Sequence, residues 1–188
     1  MALTVVVAMV LGVYAASRHN RLGDVGVMAA SQLGIAIPSF WFAILLILLF
    51  AVKLQWVSAG GFPGWSEDDG GGLWAGFKAL LLPAIALAVV QASVLARWTR
   101  SAVLEVLRED YVRTARAKGL TEPRILLTHV MRNAMIPILT NVAVSLPGIF
   151  VGSFLIEVFF SIPGLGREVL LAVNRSDYPV IQAATVYL

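Results

Sequence analysis

The stretch EDYVRTARAKGL, residues 109–120, is charged and rich in helix formers, yet it stands in a chain whose other long segments are oily. Of 188 residues 59% are hydrophobic and only 13% charged, and the mean hydropathy is +0.85. That is too apolar for a soluble domain of this size. Long apolar blocks alternate with short charged ones, which is the pattern of several transmembrane helices and not of half-polar soluble elements. The chain has no cysteine, so no disulfide framework or thiolate metal site is available and the redox compartment is not readable.

The apolar blocks give the spans. Residues 1–16 carry no charge but cover only about 24 Å as a helix, short of a hydrocarbon core of about 30 Å. A signal peptide is the competing reading; it would need a basic region ahead of the apolar run, whereas Arg18 and Arg21 follow it. Val25 to Val52 is long enough to span, and Pro38 is expected to bend it. A third block runs from about Leu73 to Ala96 with Pro83 near its start, and a fourth from about Ala134 to Phe160 with Pro137 and Pro147 inside. The last, YPVIQAATVYL, stops after about eleven residues, too few to cross. Both ends therefore read as clipped, with a longer native protein expected.

Charge sets the sidedness. Successive spans alternate sides, so the loops at 17–24 and 97–132 face the same way. Together they hold Arg18, Arg21, Arg97, Arg100, Arg108, Arg113, Arg116, Lys118, Arg124 and Arg132; the other two loops and their flanks hold only Lys53, Lys78, Arg167 and Arg175. Basic residues stay on the cytoplasmic side, which places 109–120 inside the cell. The opposite loop, with GWSEDDGGG at 64–72, reads as a flexible extracytoplasmic turn.

From Ser101 to Lys118 there is no Gly or Pro, and Ala, Leu, Arg and Glu predominate, so the segment is expected to be helical throughout. Gly119 can then take the left-handed conformation that ends a helix, with Lys118 at the C-terminal dipole, while Thr121 and Pro123 open a second helix. Tyr111, Ala115 and Gly119 share one face that narrows to small side chains, so another protein could approach the backbone there. Plain anchoring of the basic residues at anionic lipid headgroups is the bland alternative. Nucleic acid is not expected as a partner: Glu105, Glu109, Asp110 and Glu122 interrupt the cations and no aromatic platform accompanies them.

DYVRTARAKGL followed by RNAMIP resembles the cytoplasmic signature of the permease subunits of binding-protein-dependent ABC importers, in the dipeptide/oligopeptide/nickel branch. That signature reads Glu-Ala-Ala, three residues, Gly and later a hydrophobic-Pro ending. Aligned on Gly119, its leading positions hold Arg113, Thr114 and Ala115; the replaced Glu and Ala, and the more distant Pro137, are what the peptide branch itself shows. IPSFWFAILLI, LARWTRSAVLEVLREDY, EVFFSIPGLGREV and NRSDYPVIQA resemble the same branch in the same order, covering about residues 30 to 188.

The resemblance implies an all-α polytopic transmembrane helix bundle, the ABC importer type I permease (MetI-like) fold, as a single domain over 1–188. It would hold about four full or near-full helices and the start of a last one, from the second to the sixth of six. The coupling region at about 97–133 would dock on an ATPase through Asp110, Tyr111, Arg113, Thr114, Ala115, Arg116, Ala117, Lys118 and Gly119. The implied partners are a second permease subunit, two ABC ATPase subunits, an extracytoplasmic solute-binding protein and membrane lipid, with peptides, nickel or glutathione as cargo. Glu157 and the turn at Pro163, Gly164 and Gly166 resemble an outer gating loop. From residue type alone, Glu157 could equally reach water, pair with Arg167 or mark a helix end.

Gln91, Ser93 and Asn141 are polar residues in apolar blocks, fit to line a translocation path or, the first choice, to bond between helices. Trp41, Trp56, Trp74 and Trp98 lie near span ends, as interface anchors do. No Gly-x-x-x-x-Gly-Lys-Ser/Thr phosphate loop occurs, and His19 and His129 sit in charged segments without a nucleophile cluster. The chain is therefore expected to be non-catalytic and to hold no cofactor, with ATP and Mg on partner subunits. An ion-driven secondary transporter is the alternative of another class; it would call for midplane charges or inverted repeats of broken helices. A membrane scaffold or sensor without cargo flux is a third.

Overall fold

The computed structural model describes residues 1–66 and 70–187, and every regular element among them is helical. The helices are α1 (Ala2–Ser17), α2 (Leu22–Ala36), α3 (Ser39–Leu46, continuing as a π-helical turn Ile47–Lys53), α4 (Leu73–Val106) and α5 (Asp110–Ala117). They continue with α6 (Glu122–Arg124), a π-helical turn Ile125–Val130, α7 (Met131–Phe159), α8 (Leu165–Asn174) and α9 (Tyr178–Tyr187). Two helices, Leu73–Val106 and Glu122–Phe159, are long and apolar enough to cross a membrane, and α2 with α3 counts as a third if the broken pair is one span. Pro38 does more than bend its block: α2 stops at Ala36, and Pro38, extended at φ −60° and ψ 134°, starts α3. A proline disfavours helical backbone in the residue before it and has no N–H to continue the ladder. Pro83, Pro137 and Pro147, by contrast, lie inside α4 and α7. The acidic part of the predicted turn, Glu67 to Asp69, lies outside the described residues.

The chain forms two compact units, Met1–Ala36 with Val89–Leu146, and Ile37–Ala88 with Pro147–Leu188. In the first, small residues at helical spacing on α1, namely Ala8, Gly12, Ala15 and Ala16, are buried. They pack where Ala92, Ala96 and Thr99 of α4 are buried in turn. A Cβ on Gly12 would stand 2.6 Å from Thr99 Cβ and 2.7 Å from the Ala96 carbonyl oxygen. Apolar helices in lipid gain nothing from leaving water, so such close backbone approach is what holds them together. A second such seam forms where Gly34 of α2 packs directly on Ser93 of α4. Below the seams lies the main core: Ala102, Val103, Val112, Ala115, Ile125, Val130, Ala134 and Ile138.

The second unit packs Ala43, Leu46, Leu82, Ala86, Ile156 and Phe160 together, with Phe40 stacked on Phe159 at 6.2 Å. Its loop folds back on the end of α7: Gly61 N–H donates to the Phe160 carbonyl at 2.8 Å, and a Cβ on Gly60 would meet that same oxygen at 2.7 Å. Trp41, Trp56, Trp74 and Trp98 are all exposed, as side chains at a lipid–water boundary would be.

Gly12→Leu is expected to destabilise the α1–α4 seam by about 1–3 kcal/mol through overpacking. Gly26→Ala, where a Cβ meets nothing within 4 Å, should be neutral or stabilising by up to about 1 kcal/mol, since Ala loses less entropy in a helix. Thermal melting in detergent, followed by tryptophan fluorescence, compares the two.

Candidate functional site

The predicted continuous helix over 101–118 is broken in the structure: α4 ends at Val106, and α5 begins at Asp110 after a turn. Arg108 and Glu109 N–H groups bond three residues back, to Glu105 and Val106, and Glu109 is extended at φ −64° and ψ 147°. Propensity is a weak preference that tertiary burial overrides. Here the turn lets Val112 and Ala115 enter the core that holds Ala102 and Val103.

The end of α5 is as expected. Gly119 has φ +79°; its N–H bonds the Arg116 carbonyl at 2.9 Å and the Leu120 N–H bonds that of Ala115 at 3.3 Å, the paired bonds of a Schellman end. Thr121 is extended ahead of α6, with Pro123 in the first turn, but its side chain makes no cap bond.

Two side-chain contacts fasten α5 to α6 and α7. Arg116 Nε donates to Glu122 Oε1 at 2.7 Å and its Nη2 to Oε2 at 3.2 Å. This bond raises the Arg116 pKa. Both side chains are substantially exposed, so the pair contributes less than about 1 kcal/mol. Asn133 Nδ2 donates to the Tyr111 hydroxyl at 2.7 Å, tying α5 to the start of α7.

Of the three residues expected to share a partner-facing side, Ala115 alone turns inward: it is 6% exposed and lies in the chain's own core, whereas Tyr111 stays 40% exposed with its hydroxyl bonded to Asn133. The exposed residues of the segment are Asp110, Tyr111, Arg113, Thr114, Arg116, Ala117, Lys118 and Gly119. Thr114 Oγ1 donates to the Asp110 carbonyl at 3.0 Å, and Arg113 lies 3.4 Å from the Asp110 carboxylate. A Cβ at Gly119 would meet nothing within 4 Å. α5 is thus a short helix clamped along one side and bare along the other.

A cluster that sequence reasoning passed over sits nearby. Asp24, in the first turn of α2, is buried at 3% exposure. Its Oδ1 accepts from Arg100 Nε at 2.6 Å, and its Oδ2 from Arg100 Nη2 at 2.7 Å and the Asn20 N–H at 2.9 Å. His19 Nδ1 lies 3.1 Å from Arg100 Nη2 and 3.4 Å from Asp24 Oδ2. The signal was present in composition: Asp24 is the sole acidic residue of the first 66, placed between a basic turn and an apolar block. Arg100 reads from sequence only as a topological charge.

The remaining predicted residues lie apart from α5. Glu157, in the last turn of α7, accepts the Gly166 N–H at 2.7 Å through Oε2, and a Cβ on Gly164 would collide with its carboxylate. Arg167 reaches the Ser161 carbonyl, at 3.3 Å, so of the alternatives open for Glu157 the pairing with Arg167 is not formed, and the carboxylate holds a turn at the helix end. Pro163 and Gly164 lie in that turn, while Gly166 is already buried in α8. Ser93 Oγ and Asn141 Nδ2 each donate one turn back within their own helix, to Val89 at 2.7 Å and Pro137 at 2.8 Å, not to another helix. Gln91 is half-buried in α4. Among the described residues no group of three or more His, Cys, Asp or Glu could hold a metal ion.

Among the described residues every regular element is helical, two helices are long and apolar enough to cross a membrane, and the small charged α5 lies between them. The chain belongs to the family of binding-protein-dependent transport system inner membrane components, whose profile matches residues 8–188. It is 42% identical over 187 residues to the di/tripeptide transport system permease protein DppB of Pseudomonas aeruginosa, covering 91% of this chain and 56% of that protein. The dipeptide transport system permease protein DppB of Bacillus subtilis is 41% identical over 185 residues, covering 98% and 56%. The glutathione transport system permease protein GsiC of Salmonella choleraesuis is 40% identical over 179 residues, covering 95% and 55%. The chain thus spans a little over half the length of these curated relatives.

Proposed function

We propose that this chain is the transmembrane permease subunit of an ATP-driven ABC importer and that α5, on the cytoplasmic side, is its coupling helix. The observation that carries this is the division of α5 into a clamped face and a bare one. Val112 and Ala115 bury one side of it in its own chain and the half-open Tyr111 and Arg116 bond to α7 and α6 beside them, while Asp110, Arg113, Thr114 and Ala117 are exposed, with no side-chain hydrogen bond beyond α5 itself among the described residues. A helix that receives displacement from a partner must be rigid toward its own body and open toward the partner. Closure of two ATPase subunits would push on α5 and rock the bundle between inward and outward states.

In this reading residues 1–188 are one permease domain. It catalyses nothing itself; ATP and Mg are bound and ATP is hydrolysed on the partner ATPases. A second permease subunit completes the path. The nearly bare α7 supports that, since only 6% of its most apolar window is buried within the chain and the rest needs lipid or another helix against it. A solute-binding protein would deliver cargo on the outer face, where Glu157 holds the turn at Pro163 and Gly164 as a gate. Gln91, Ser93 and Asn141 remain proposed path residues. Peptides are the favoured cargo because the relatives named above are mostly peptide permeases, with glutathione or nickel as other members of the class.

The test is Gly119→Val, assayed for peptide uptake in whole cells and for co-purification of a P-loop ATPase. A β-branched residue at φ +79° costs at least ~1–2 kcal/mol in backbone strain with no steric clash beyond it. Uptake should fall at least about tenfold while the protein remains in the membrane, and Gly119→Asn, which tolerates this backbone, should keep most activity. Normal uptake in the valine variant would overturn the docking role.

A further inference from the structure

The Asp24–Arg100 pair has no part in docking as described, yet it is the most completely buried ionic contact among the described residues, and both carboxylate oxygens are used. Its position gives it a role. Arg100 lies six residues before the end of α4, and the turn after that end leads directly into α5. Asp24 lies in the first turn of α2, and the Asn20 N–H, in a residue with φ +61° in the α1–α2 turn, bonds the same carboxylate. One side chain therefore fastens the end of α4, the start of α2 and the turn from α1. A second, longer bond on the same pair of helices runs from Arg97 Nη1 to Gln32 Oε1 at 3.4 Å. Meanwhile α5 shares its core with Ala102 and Val103 of α4 and Ala16 of α1.

We infer that Asp24 and Arg100 are positioning residues of the coupling step: their two-pronged bond stops α2 from sliding on α4, so that displacement at α5 moves α1, α2 and α4 as one body. The seam between α2 and α4 would not do this alone. The Gly34–Ser93 contact is packing, and packing of small residues resists separation better than it resists sliding, whereas a bidentate guanidinium–carboxylate bond fixes direction. Buried ion pairs are weak contributors to stability, and a matched apolar pair can replace one without loss of folding. Fixing geometry is what such a replacement would remove. His19, against both partners, limits the freedom of the guanidinium.

This inference rests on the permease reading above, and its test keeps the two apart. The full-length protein is co-expressed with its partner subunits and reconstituted with binding protein and dipeptide, and transport per ATP hydrolysed is measured in complexes that have assembled. Arg100→Lys, which keeps the charge and loses the fork, and the double variant Asp24→Leu with Arg100→Met, which removes both charges, should assemble like the unaltered protein but transport at least about tenfold less per ATP. Cysteines introduced at Gln32 and Arg97 of the double variant and bridged by a short bis-maleimide should restore coupling, which a purely structural role would not predict. Normal coupling in either assembled variant, failure of the bridge to restore it, or failure of the double variant to assemble would overturn the inference, the last by making the pair a folding element. If the unaltered protein shows no ATPase partner and no ATP-dependent uptake, the permease reading falls instead.

Discussion

A chain this apolar can keep a charged helix at its surface only if something on that helix is buried, and here Val112 and Ala115 are what is buried. Val112 alone contributes about 2 kcal/mol on leaving water, and the two side chains lie one turn apart, on one side of a short helix. The rest of the segment is arranged around that burial. α4 must break after Val106 for the pair to reach the core, Gly119 must turn the chain sharply on leaving it, and the polar residues are left on the far side. Arg116 with Glu122, and Tyr111 with Asn133, then fix the rotation of the helix about its axis.

Two kinds of force hold the unit that carries α5, and they act at different depths. Where α1, α2 and α4 run through apolar surroundings, small residues bring backbones together by packing alone, at Gly12–Thr99 and Gly34–Ser93. Beyond the apolar stretch the contacts become directional: Arg97 to Gln32, then Arg100 to Asp24. A pair such as Asp24–Arg100 is tolerated near the end of the span, where Asn20 and His19 complete its bonds, and would be costly at a bilayer centre.

How much of this was legible in the sequence depends on range. The apolar blocks, Gly119 and the opening of α6 were readable because they rest on local chemistry: hydropathy, a residue without Cβ, a proline in a first turn. The order of family motifs carried the fold class. The break at 107–109 was not readable, because every residue there is compatible with a helix and the deciding energy lies in contacts with α1, the π-helical turn and α7. For the same reason Ala115 falls, on sequence grounds, on the partner-facing side. Periodicity says which residues share a face, and only the fold says what that face meets. Asp24 is a lone acid whose meaning depends on Arg100, 76 residues away, and Glu157 reads as a possible ion pair although its partner is a backbone N–H.

The most direct measurement uses the absence of cysteine from these 188 residues. A single cysteine at Ala117, on the bare side of α5, or at Ala115, on the clamped side, is carried into the assembled complex and treated with a short thiol-to-amine cross-linker, and the joined chains are identified by mass spectrometry. The account predicts that Ala117→Cys joins an ATPase subunit in high yield and that Ala115→Cys does not. Cross-linking from Ala115→Cys and none from Ala117→Cys would reverse the assigned faces, and cross-linking from neither would contradict α5 as the docking element.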